Sequence, residues 1–307
     1  MDFKRDLLKG LSLKPKSIPS LYFYDDKGSE LFQKITKHTD YYLTNAEIEI
    51  LSRINLPVEA EKIDLIELGP GDGQKGHLVI KVFLDKKVKV NYFPIDISSR
   101  AIAQLRENIQ PQKNLKIHSV LADYFEGLRL VRKKSKNRAL ILFLGSNIGN
   151  FNVNECQDFL KHLGETLKPG DFTLIGFDLK KDINILNRAY NDPEGLTRDF
   201  NLNLLDRINR ELGGSFDKNK FKHLGSYNQK LGAMESFLIS QEKQQVFISQ
   251  LERAFEFETL EPIHMEYSFK YLKSDIEKLA SQAGFEICEH FYDGKKYFID
   301  SLWKIPN

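Results

Sequence analysis

With 307 residues the chain exceeds the roughly 100–200 residues typical of one domain, and 41% hydrophobic against 29% charged residues supplies a substantial core, which excludes a disordered chain. Its 45 basic and 43 acidic side chains nearly cancel to a formal +2, so no global field draws it to nucleic acid or an anionic membrane. Cys156 and Cys288 fit neither a disulfide framework nor a zinc spacing, and the N-terminal MDFKRDLLKGLSLKPKS holds neither a signal-peptide core nor a membrane-length span. A cytoplasmic protein is expected.

From Lys62 the chain reads as a strand (KIDLIEL), a glycine turn, a helix from about Gln74, and a second strand (VNYFPID) ending at Asp96. A helix capped near Ser98 or Ser99 follows, then one strand over LKIHSVLAD. The basic run Arg132, Lys133, Lys134, Lys136 and Arg138 reads as a solvated loop rather than a phosphate site. Beyond it come a strand (ALILFLGS), a helix over about 154–167 and a fifth strand (FTLIGFD). Short apolar strands alternating with amphipathic helices predict a doubly wound parallel sheet, because each crossover returns over a face of the sheet. Residues from Lys180 to about Ile263 break the rhythm with two helical stretches and then strands at AMESFLISQ and QQVFISQ. Alternation resumes with a helix capped by Ser274 and closes with two strands, EICEHFYD and KKYFIDSLW, around Gly294. The expected division is residues 56–182 with 271–307 as a ligand-binding domain, and 1–55 with 183–270 as a smaller α+β substrate lobe.

The turn Glu67-Leu68-Gly69-Pro70-Gly71-Asp72-Gly73-Gln74-Lys75 stands where the first strand gives way to the first helix. Glycines let the backbone approach a ligand, and open α/β sheets bind ligands outside the carboxyl ends of their strands. The dinucleotide pattern G-x-G-x-x-G would need a third glycine at Gln74, whereas Gly73 comes one residue earlier. The form E-x-G-x-G-x-G resembles the first motif of S-adenosylmethionine methyltransferases. Asp96 ends the second strand where an acid can accept both hydroxyls of a ribose, its alternative being a cap for the next helix. Asp123-Tyr124 ends the third, where an adenine ring could be held; a plain strand-end turn is the alternative.

Six stretches, YFYDDKGSELFQKITKHTDYYLTNAEIEIL, IELGPGDGQK, YFPIDIS, FLGSNIGNF, LNRAYNDPEGLTRDFNLNLLDRINRELGGSFD and HMEYSFKY, resemble the histidine-specific S-adenosylmethionine methyltransferases, whose best-known members make trimethylated histidine in ergothioneine biosynthesis. The resemblance runs from about Tyr22 to Trp303. It implies a class I methyltransferase fold, Rossmann-like, whose final antiparallel hairpin is the one read above. It assigns the cofactor contacts to Tyr24, Gly69, Lys75, Asp96, Asp123 and Tyr124. The histidine site falls to Tyr41, Asn150, Tyr190, Met234, Glu266 and Ser268, with Asn150 and Tyr190 on the amine and carboxylate and Glu266 and Ser268 on the imidazole. Glu266 and Ser268, two apart in a strand, share a face, and Tyr267 points away. Relatives often carry Ser or Thr near Gly73 and Thr at Gly76, two departures that bear on cofactor affinity.

The implied reaction is methylation of a free amine, in which Asn150 and Tyr41 act by positioning and Tyr24 or Tyr41 assists proton departure. The seven histidines form no H-x-x-H or H-E-x-x-H pattern, so no catalytic metal is expected. A monomer acting on a small amino acid, with no nucleic-acid or membrane partner, is the expectation. The competitors are the same chemistry on another amine such as a tryptophan derivative, a nucleic-acid methyltransferase, and a catalytically silent cofactor-binding protein. The second lacks the proline-bearing [DN]-P-P-[YF] motif, since Asn147-Ile148-Gly149-Asn150-Phe151 occupies that place.

Overall fold

The computed structural model describes residues 2–307. They divide into a large unit, residues 43–180 with 270–307, and a small unit, residues 2–42 with 181–269. The first boundary falls after Tyr42, the first residue of the helix Tyr42–Arg53, instead of beyond that helix at residue 56. The reason is packing: Leu51 of that helix, with Ile54, Leu56 and Val58 beyond it, joins the core of the parallel strands.

The large unit is built on an eight-stranded sheet. Across it lie Glu286–Tyr292, Phe298–Lys304, Phe172–Asp178, Arg138–Phe143, Lys62–Leu68, Lys89–Asp96 and Leu115–Ile117, with Val120–Leu121 also pairing on Lys89–Asp96. Neighbours are parallel except at Phe298–Lys304, which runs antiparallel to both its partners. The central strands read as apolar runs because helices cover both faces, and every residue of Phe172–Asp178 is buried. This sheet, reversed only at its last inserted strand, is the class I methyltransferase sheet.

Three local expectations need correction. LKIHSVLAD is two short strands and not one, broken at His118 and Ser119, where the His118 N–H bonds to the Tyr92 carbonyl. The basic run is no loop at its start: Arg132 to Lys134 end the helix Tyr124–Lys134, and Arg132 is buried, 2.6 Å from Asp171. An aliphatic stem facing the core and a fixed acid behind it draw this guanidinium inward. The late helix spans Lys273–Gln282 and begins at Leu272, whose N–H is taken by Asp275, so Ser274 lies in its first turn and is not the cap.

In the small unit Lys16–Ser17, Pro262–Phe269, Ala233–Ser240 and Phe221–Asn228 form a four-stranded sheet. Gln244–Ile248 and Arg253–Phe257 form a separate hairpin. The helix Leu196–Leu212 packs Phe200, Leu204, Leu205 and Ile208 into this unit's core with Phe23, Leu31 and Ile35. Among the described residues no helix is long and apolar enough to cross a membrane.

Candidate active site

The glycine turn is left-handed at three points, with φ of 67° at Gly69, 58° at Gly71 and 80° at Gly73. L side chains avoid this region, so the turn accounts for its own glycines. A Cβ on Gly71 would meet nothing within 4 Å, which leaves the loop open there. On Gly69 it would sit 2.8 Å from the Tyr124 hydroxyl. The Tyr124 ring packs against Phe143 at 5.8 Å and Phe159 at 6.5 Å, and desolvation holds its hydroxyl protonated well above the usual range. The side chain of Tyr124 therefore lies against the loop, an arrangement that strand-end spacing alone did not reveal.

The three strand-end acids have different surroundings. Glu67 is fully buried under the loop, accepts the Tyr92 hydroxyl, and is pushed up to about 8 by burial. It is thus a structural acid behind the turn. Asp96 is half-buried; desolvation raises it, while the N–H of Ser98, 2.8 Å from Oδ1, pulls the other way. Ser98 itself caps the following helix, accepting from Ala101 at 3.2 Å. Asp123 is exposed and caps the helix Tyr124–Lys134 through a 2.9 Å bond from the Glu126 N–H. One of its oxygens is committed to that cap.

Asn150 closes a short 3₁₀ turn, Asn147–Asn150, in the large unit and is half-buried. The turn is pinned from two sides. Ser146, at φ 55°, accepts the Asp178 N–H on its hydroxyl at 3.0 Å, and the Tyr271 hydroxyl donates to the Ile148 carbonyl at 3.3 Å. Behind it the buried pair Lys270 and Asp178 meets at 2.8 Å.

The other five acceptor-type residues belong to the small unit. Tyr190, at the end of the helix Ile183–Tyr190, donates to the Ser268 hydroxyl at 2.7 Å. Met234 lies opposite Ser268 in the strand register and packs with Leu186, Ala189 and Tyr190. Tyr41 sets its ring edge-on to Tyr190 at 6.3 Å and to Phe32 at 6.2 Å. Glu266 is half-buried on the same strand face as Ser268, while Tyr267 turns the other way and packs its ring at a tilt against His264, centroids 4.0 Å apart. Tyr24, also in this unit, is 38% exposed and packs edge-on against Phe32 and Phe200. The hydroxyl of Tyr42, the neighbour of Tyr41 in sequence, accepts from the Lys181 ammonium at 2.6 Å.

One group of metal-type side chains, His38, Asp192 and Glu194, converges in the small unit, with ligand atoms within 4.8 Å of one another. Its donors are already engaged. Asp192 accepts the Leu196 and Thr197 N–H groups, and His38 Nδ1 accepts the Asp40 N–H. That leaves the ring proton of His38 on Nε2, 2.6 Å from Glu194. The cluster is a helix cap with a histidine latched onto it.

Lys75 pairs with Glu47, a residue not singled out from the sequence. The sequence does hold a signal: Glu47 interrupts the apolar stripe Leu43, Ala46, Ile50, Leu51 of its helix.

The open loop, the desolvated Asp96 and the reversed strand inside the sheet fit S-adenosylmethionine and define an S-adenosylmethionine-dependent methyltransferase. The profile of the histidine-specific, S-adenosylmethionine-dependent methyltransferases matches residues 3–305, so the chain belongs to that family. It is 35% identical to a histidine N-alpha-methyltransferase of Mycobacterium tuberculosis, over 92% of this chain and 88% of that protein. To the ergothioneine biosynthesis protein 1 of Neurospora crassa it is 31% identical, over 94% of this chain and 33% of that one. To an L-tryptophan methyltransferase of Psilocybe serbica the identity is 28%, over 91% and 86%.

Proposed function

We propose that the protein transfers methyl groups to the α-amine of L-histidine and that repeated transfer gives the trimethylated product, hercynine. The observation that carries this reading is the Tyr190–Ser268 hydroxyl pair with Glu266 two positions back on the same strand face. An imidazole presents one N–H donor and one acceptor nitrogen, and burying it without partners is costly. Glu266 answers the donor and Ser268 the acceptor. An indole has a single N–H and would leave one of the two unmatched. The histidine relative at 35% and the tryptophan relative at 28% define the two acceptors to compare.

Bound S-adenosylmethionine supplies an electrophilic methyl on a sulfonium. Gly69, Asp96, Asp123, Tyr124, Lys75 and Tyr24 are assigned to holding it, and Asn150, Tyr41 and Tyr190 to orienting the acceptor's amine and carboxylate. Their task would be to hold the acceptor amine where it can reach the electrophilic methyl that the bound group supplies. Desolvation in a partly buried pocket favours the neutral amine that can attack. Tyr41 or Tyr24 takes part in proton departure, and Met234 gives a compliant wall for added methyls.

The test is mass spectrometry after incubating protein, cofactor and an equimolar mixture of amino acids. Histidine carrying one, two and finally three methyl groups is the expected outcome. Unmodified histidine beside methylated tryptophan would transfer the reading to the other acceptor.

A further inference from the structure

Within the large unit, separate elements send charged or polar groups to one buried point. Glu47, from the helix Tyr42–Arg53, is fully buried and meets Lys75 Nζ at 2.5 Å through Oε2. The same carboxylate accepts the Gly145 N–H, at 2.7 Å to Oε1 and 3.0 Å to Oε2. Asp300, from the strand Phe298–Lys304, is also fully buried, and its carboxyl has Glu47 as its hydrogen-bond partner. The backbone leaves room for the cluster: a Cβ on Gly176 would lie 2.4 Å from Glu47 Oε1, and one on Gly145 would lie 3.3 Å from Lys75 Nζ.

Burying an ion pair costs more than packing apolar groups of the same volume, and the stripe around Glu47 is otherwise Leu, Ala and Ile. Packing alone therefore does not account for an acid here. The Lys75 side chain stays 23% exposed while its partner is wholly covered, so the pair reaches solvent only from the lysine's side. Lys75 stands in the first turn of the helix that follows the glycine loop.

We propose that Glu47 is a positioning residue for the cofactor: by clamping the Lys75 ammonium and the Gly145 N–H, it aims Lys75 at the carboxylate of the cofactor's amino-acid tail. The inference rests on the assignment of Lys75 to cofactor binding. Asp300 completes the arrangement. Burial, and then the charge of Glu47, push its carboxyl well above the ordinary range, so it sits neutral beside the pair and adds no second anion to oppose an incoming carboxylate.

The experiment is calorimetric titration with S-adenosylhomocysteine and with 5′-methylthioadenosine, which has the same nucleoside but no amino-acid tail. Glu47→Gln and Lys75→Ala should each weaken S-adenosylhomocysteine by about tenfold or more, the double variant no further, and methylthioadenosine should change by less than about twofold throughout. Should Glu47→Gln fail to fold, Glu47→Asp, which withdraws the anion by one methylene, should weaken the tailed ligand alone. Unchanged affinity for S-adenosylhomocysteine in these variants, or equal loss of both ligands, would overturn the proposal. A wild-type protein that binds neither ligand would instead overturn the assignment of the cofactor site.

Discussion

Replacing Glu67 with Gln should alter how stability depends on pH. Glu67 ends the central strand 2% exposed and accepts the Tyr92 hydroxyl; burial dominates its environment and lifts its carboxyl from 4.5 to about 8. An acid whose folded value lies above its unfolded value holds its proton more tightly in the fold. Its contribution to stability is complete below 4.5, shrinks as pH rises across the interval and is gone above about 8. Between about pH 5 and about pH 7.5, a slope of about 1.4 kcal/mol per unit amounts to about 3 kcal/mol. Gln keeps the shape and can accept the Tyr92 hydroxyl, yet does not titrate. The unfolding free energy of Glu67→Gln relative to wild type should therefore rise by about 3 kcal/mol over that range, groups common to both cancelling. Urea unfolding can be followed through Trp303, the single tryptophan, which is fully buried in the same unit. Parallel stability curves for the two proteins would refute the reasoning, since they would mean that Glu67 is already ionised in the fold.

Removing the Asn150 amide with Asn150→Ala should raise the KM for the acceptor and lower turnover, together by about tenfold to a hundredfold, as the loss of a hydrogen bond to a charged group would; unchanged kinetics would remove its role. Arg132→Met leaves Asp171 with only the Ala139 and Lys168 N–H groups and should cost about 3–5 kcal/mol in a denaturation experiment. A loss below about 1 kcal/mol would place that ion pair among exposed ones. Gly76→Ala would put a Cβ 2.1 Å from Glu67 Oε2 and 2.8 Å from the Tyr92 hydroxyl. It should destabilise by about 1–3 kcal/mol, and Glu67→Asp in the same chain should recover part of that loss.

Much of the large unit was legible because strands covered on both faces must be apolar along their whole length, as in Leu140 to Phe143 and Phe172 to Phe177. The left-handed turn was equally plain, since glycine recurring at 69, 71 and 73 marks backbone that a Cβ would strain at each point. Phe221–Asn228 was missed because its exposed residues and Gly225 weaken the alternation. Of the acceptor-type residues, the common face of Glu266 and Ser268 followed from strand geometry. The Tyr190–Ser268 bond did not, because it joins positions far apart in sequence. Charges hid most effectively where the core holds them: Arg132 and Asp300 look like surface residues until the partner from a distant segment is known.

The position of Phe298–Lys304 between Phe172–Asp178 and Glu286–Tyr292 has a consequence for biosynthesis. Phe172–Asp178 leaves the ribosome with one edge unpaired, and its partner is made only after the strand Glu286–Tyr292. At about 5–20 residues per second the nascent sheet waits on the order of ten seconds for that partner, its apolar rim open to other chains. A holdase that shields this rim during translation would be expected to raise the yield of active protein more than one added after release.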